Sequence, residues 1–125
     1  MASQEAVRSV SLPAYATLVA SQFRFVSIDS DGLVNRTGGA GLAAIGVLQN
    51  KPAAAQRPAE VAYAGRVKVV AGATVAMGAK VQSDAAGRAI TAAGSDVVLG
   101  KCLIGGDIGE LIEVLLVSKH IIPTP

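Results

Sequence analysis

A Val-x-x-Asp-x-x-Gly string occurs twice in this chain, and the recurrence limits the fold more than any other feature. Val26-x-x-Asp29-x-x-Gly32 returns 55 residues later as Val81-x-x-Asp84-x-x-Gly87. Gly46-Val47-Leu48 is matched by Gly100-Lys101-Cys102, 54 residues on. Ala59-Glu60-Val61-Ala62-Tyr63 is matched by Ile112-Glu113-Val114-Leu115-Leu116, 53 residues on. An offset that shrinks slowly is what two copies of one unit show after small loop deletions. Two copies are too few for a solenoid. They fit a pseudo-symmetric β-barrel or a pair of packed β-units, with repeats at about 23–65 and 78–117.

Local patterning agrees with strands. Phe23-Arg24-Phe25-Val26-Ser27-Ile28 alternates, and Asp29-Ser30-Asp31-Gly32 follows as a turn before Leu33-Val34 starts back, a hairpin signal. The apolar run Leu42 to Leu48 reads as a buried strand, residues 50–59 as an exposed loop with two prolines, and Glu60 to Val70 as the clearest strand. Residues 1–22 lack glycine and are interrupted by Pro13. They read as an extended N-terminal arm, a short helix or a first strand. Ile121-Ile122-Pro123-Thr124-Pro125 reads as an extended tail. The reading is mainly β: a small β-barrel or β-sandwich-like body over 23–117 with internal duplication, an arm over 1–22 and a C-terminal tail over 118–125.

Apolar residues make up 51% of the 125, yet only 3% are aromatic and none is Trp, so the core is built from small and β-branched side chains suited to packed strands. The net charge is +2, with Lys and Arg scattered. Duplex binding needs a basic stripe and single-strand binding needs stacking aromatics, so no direct nucleic-acid ligand is expected. Cys102 is the sole cysteine and sits among apolar neighbours. It reads as a small buried hydrophobe, and neither an intramolecular disulfide nor a cysteine zinc site is expected. No apolar run is long enough to span a bilayer, and Glu5 and Arg8 precede any apolar run, so neither membrane association nor a signal peptide is expected. Synthesis and retention in a cytoplasm until assembly follow from that reading.

Motifs that carry chemistry fail on a missing residue. Gly39-x-Gly41-x-x-Ala44 has dinucleotide-loop spacing, but Pro52 and Pro58 lie where its helix and next strand belong. Ser27-x-Asp29-x-Asp31-Gly32 starts like a calcium loop, but Gly38 holds the position of the bidentate Glu. Gly41-x-x-x-x-Gly46 is followed by Val47 and Leu48 in place of Lys and Ser/Thr. His120 is the only histidine, no Ser sits in a Gly-x-Ser-x-Gly elbow, and Glu110 and Glu113 fall on opposite faces of a strand. No catalytic residue, cofactor or metal is expected.

The string Gly65-x-Val67-x-Val69-x-Ala71-Gly72-x-x-Val75-x-x-Gly78-x-x-Val81-x-x-Asp84-x-x-Gly87-Arg88-Ala89, then Val98-x-Gly100 and Glu110 to Leu116, resembles the small capsid decoration (cement) proteins of tailed bacteriophages. The resemblance spans roughly residues 23–117. It implies a structural protein of the virion, bound outside the phage head as a homotrimer and clamping neighbouring major capsid subunits. Its partners are then the major capsid protein and its own copies. Extended arms supply contact area in such a scheme, and repeated weak contacts sum. Within residues 1–22 the candidate capsid anchors are Val10, Leu12, Tyr15 and Leu18. The alternatives are another virion component, a head-fibre base or tail protein, and a non-viral ligand-binding β-barrel.

Overall fold

The computed structural model describes residues 7–37, 39, 41, 43–93 and 97–116. Among the described residues nine strands form one antiparallel sheet: β1 (Arg8–Pro13), β2 (Phe25–Ile28), β3 (Val34–Arg36), β4 (Gly46–Leu48), β5 (Pro58–Val70), β6 (Lys80–Ser83), β7 (Ala89–Thr91), β8 (Gly100–Ile104) and β9 (Leu111–Leu116). Their order is β3-β2-β4-β5-β9-β8-β6-β7, with β1 also beside β5. The only helical element among the described residues is a 3-10 turn, Val19–Ser21. The mainly β expectation holds, and the architecture is a strongly curled half-barrel sheet.

β5 is thirteen residues long and serves two neighbourhoods. Its first part pairs with β4 and β1, and its second part with β9. This divides the described chain into a first half (8–64) and a second half (65–116). Curling brings Ala14 into a parallel bridge with Val34 of β3, and Ala71 into one with Ala89 of β7.

Registers match between the halves. In β2–β3 Val26 pairs Arg36, Ser27 pairs Asn35 and Ile28 pairs Val34. In β6–β7 Val81 pairs Thr91, Gln82 pairs Ile90 and Ser83 pairs Ala89. Phe25–Val47 and Val26–Gly46 of β2–β4 correspond to Lys80–Lys101 and Val81–Gly100 of β6–β8. Val47–Ala62 and Leu48–Val61 correspond to Lys101–Leu115 and Cys102–Val114. Val10–Val61 and Leu12–Ala59 of β1–β5 correspond to Val67–Val114 and Val69–Ile112 of β5–β9.

The segment read as an arm is therefore, from Arg8 to Pro13, a strand hydrogen-bonded to β5. Pro13 is compatible with this because a strand end tolerates a missing N–H. Residues 1–6 and the tail 118–125 lie outside the described residues. The run Leu42 to Leu48 becomes strand only at Gly46, and β5 begins at Pro58, inside the expected loop.

Each half has its own interior. Ala14, Leu18, Val26, Val34, Leu48, Ala59 and Val61 cluster in the first, with Leu12 and Ile45 packed on them. Val69, Ala71, Val75, Val81, Ala89, Leu99, Cys102, Ile112 and Val114 fill the second. This second cluster also takes in Phe25, Val47 and Ala62 from the outer side of the first half, which is where the halves join.

Candidate interaction surfaces

Three surfaces follow from this arrangement. The first carries the anchors named from sequence. Val10 and Leu12 pair with Val61 and Ala59, whose side chains fill the first interior. Val10 is 39% exposed and Leu12 is half-buried against that cluster. Leu18 is 4% exposed inside the cluster, and its N–H donates to the Pro52 carbonyl at 2.8 Å. Tyr15 is 54% exposed, held by its N–H donating to the Val34 carbonyl at 2.8 Å, with Val19 exposed nearby in sequence. Of the four, Val10 and Tyr15 are presented outward, and Leu12 and Leu18 serve packing.

The second surface is the junction of the halves. Phe25 N–H donates to the Gly87 carbonyl at 2.7 Å, and Val70 N–H to the Phe23 carbonyl at 2.8 Å. Gly41 N–H donates to the Ser83 carbonyl at 2.9 Å, and Arg24 Nη1 to the Ala86 carbonyl at 3.1 Å. Gly87 lies in the turn that makes this contact, at φ +79°, where a Cβ would stand 2.9 Å from the Phe25 carbonyl oxygen. The Asp84 carboxylate fixes the turn: Oδ1 accepts the Ala86 and Arg88 N–H groups at 2.8 Å, and Oδ2 accepts Arg88 Nε at 3.0 Å. Asp29 accepts the Asp31 and Leu33 N–H groups in the same way, both at 2.9 Å, without an arginine. Burial lowers the Arg24 pKa, and the neighbouring Arg36 and Arg88 charges lower it further, against Asp84.

The third surface is the outer side of the second half, which sequence reading did not single out. Lys80, Lys101, Leu115 and Arg66 stand directly opposite one another across β6, β8, β9 and β5, and all four are exposed. Arg66 is ion-paired with Glu113. Only strand order puts these residues in one row.

Among the described residues no His, Cys, Asp and Glu group has the proximity to hold a metal ion. Cys102 is 1% exposed, and burial pushes its thiol pKa up, partly offset by a hydrogen bond from the Ile104 backbone. The sequence reading of a small buried hydrophobe fits that placement.

Comparison with known proteins bears on what such surfaces do. A family model described as phage cement protein matches residues 4–107. A search of curated proteins gave no match. Among solved structures, the fold is similar to the head fibre gp8.5 N base of bacteriophage phi29, with a TM-score of 0.71 and 13% sequence identity. That likeness covers 90% of this chain and 96% of the other, and at this identity it is a likeness of fold.

Proposed function

This chain belongs to the phage cement protein family, a structural and non-enzymatic family, and from that premise we propose that it binds the outer surface of the phage head and stabilises contacts between major capsid subunits. The family match over residues 4–107 carries the reading. The physics supports it. A curled sheet with two apolar interiors makes a stiff body, and a stiff body transmits load between the subunits it bridges. Binding as a homotrimer at threefold positions multiplies a modest contact without requiring any single contact to be strong.

The body is a duplicated unit in this reading, spanning 8–64 and 65–116 rather than 23–65 and 78–117. The paired registers and the matched Asp29 and Asp84 turns support this. Residues 1–22 contribute to the capsid contact through Val10, Tyr15 and residues 1–6, together with the tail 118–125.

Mass spectrometry of purified particles tests the proposal by copy number against the major capsid protein. A near-stoichiometric count is expected. Absence from the particle overturns the virion reading. A second reading, a head-fibre base, is favoured by the fold likeness to the phi29 head fibre base, and a count of only a few copies per particle would select it. Truncation of residues 2–6 combined with Tyr15→Ala tests the arm, because both changes spare β1 and the interior. Unchanged particle binding would remove the role of Tyr15 and residues 2–6 and leave only Val10 of the arm.

A further inference from the structure

The row across the outer side of the second half places exposed cations and an exposed leucine side by side. Lys80 and Lys101 are direct cross-strand neighbours, and like charges so placed repel. Among the described residues neither lysine forms an ion pair. Leu115 follows opposite Lys101, 43% exposed, and Arg66 follows opposite Leu115. Three strand spacings make the row about 14 Å long. Glu113 is the only carboxylate on the same face of β9, and it is taken up by Arg66. The matching positions of the first half, Phe25, Val47 and Ala62, are fully buried against the second half, so this location on the fold already serves as a docking face once.

We propose that the Lys80–Lys101–Leu115 row docks on an acidic patch with an apolar centre on the outer surface of the major capsid protein. The inference rests on the capsid-binding reading and names the contact. Charge complementarity identifies the partner: two ammonium groups without an ion pair among the described residues call for carboxylates, and the exposed leucine between them and Arg66 calls for an apolar side chain. A curled sheet face presents these groups on rigid backbone, so little ordering is lost on binding. Nucleic acid fits less well, because the row holds no aromatic on which a base would stack.

The test uses phage heads assembled without this protein and measures binding of the added full-length chain at two salt concentrations. Lys80→Glu with Lys101→Glu is expected to weaken binding at least tenfold at low salt, with the wild-type affinity falling as salt rises. Leu115→Ser is expected to weaken it several-fold with the salt dependence kept. Lys51→Glu with Arg57→Glu makes the same net charge change away from the row and is expected to leave binding intact. Thermal melting of each variant shows that the fold is retained. Equal losses from both charge reversals would reduce the effect to net charge and overturn the proposal. So would a row variant that binds normally but self-associates, since the lysines would then only keep an open face solvated. Tighter wild-type binding to a duplex DNA probe than to heads would overturn it in favour of nucleic acid. Failure of the wild type to bind heads at all would instead overturn the capsid-binding reading itself.

Discussion

The outer side of the first half and the outer side of the second half share one backbone register and have opposite fates. Phe25, Val47 and Ala62 form a row that is fully buried. Lys80, Lys101 and Leu115 form the corresponding row in water. Pairing and turn geometry therefore do not decide what a face does, because they are the same on both sides. What decides is whether another part of the chain lies over the face. With two stacked halves one outer face is covered and the other ends the stack, and an end face in such an arrangement must be polar or meet a partner. Burying a side chain of Phe or Val size contributes roughly 1.5–3 kcal/mol, so the covered row is a main source of cohesion between the halves.

Exchanging residues between the rows is the most direct way to break this comparison. Val47→Lys gives the first half the residue that the second half carries at Lys101. It places an ammonium group in a fully buried apolar row, and a loss of about 4 kcal/mol is expected. Phe25→Ala removes a fully buried ring and is expected to cost about 3–5 kcal/mol. The reverse exchange, Lys101→Val, is expected to stay within about 0.5 kcal/mol, since the site is exposed. Urea unfolding of the three variants measures all of this. Val47→Lys and Lys101→Val with equal midpoints would mean the rows do not differ as described.

The two turns sharpen the comparison at a smaller scale. Gly32 and Gly87 both lie in the left-handed region, at φ +81° and +79°. Nothing lies within 4 Å of a Cβ at Gly32, whereas at Gly87 it meets the Phe25 carbonyl and the Arg36 side chain, both at 2.9 Å. Gly32→Ala is expected to cost about 1 kcal/mol for backbone conformation alone. Gly87→Ala is expected to cost about 3 kcal/mol, because the junction must also open. A similar loss at both sites would show that the Gly87 turn does not hold the halves together.

Much of this arrangement is legible in the sequence. The offsets that align Val26 with Val81 and Gly46 with Gly100 coincide with the sheet registers, because Asp–Gly turns and tightly packed glycines leave fixed marks in a sequence. At Gly46 and Gly100 a Cβ would run into the Ala62 and Leu115 carbonyls respectively. β1 was harder to see as part of the sheet. Ser9-Val10-Ser11-Leu12-Pro13-Ala14 has the alternation of Arg66-Val67-Lys68-Val69-Val70-Ala71, but Pro13 stands where Val70 donates its N–H to Phe23, so the segment looks like a break. Leu18 was named as an anchor because an apolar residue in an unassigned segment has no visible partner, and its partners come from distant strands. The basic row was not legible at all: Arg66, Lys80, Lys101 and Leu115 become neighbours only through the strand order.

The smallest expected effect comes from the interiors, where the halves agree. Leu48 and Cys102 hold corresponding positions, both fully enclosed. Burial disfavours the Cys102 thiolate and raises the thiol pKa. The folded chain then keeps its proton at a pH where the unfolded chain loses it. Stability from this group is fully present below the ordinary thiol pKa and is lost as pH rises toward the folded value, with a slope of at most about 1.4 kcal/mol per pH unit. Cys102→Val has no titrating group, so its stability should lack that slope, whatever its offset from the wild type near neutral pH. Alkylation gives the sharper readout, since only the thiolate reacts and only an opened interior admits reagent. Iodoacetamide should label Cys102 at the rate of unfolding. Labelling as fast as a free thiol in the native protein would mean the second interior is open where the first, closed over Leu48, is not.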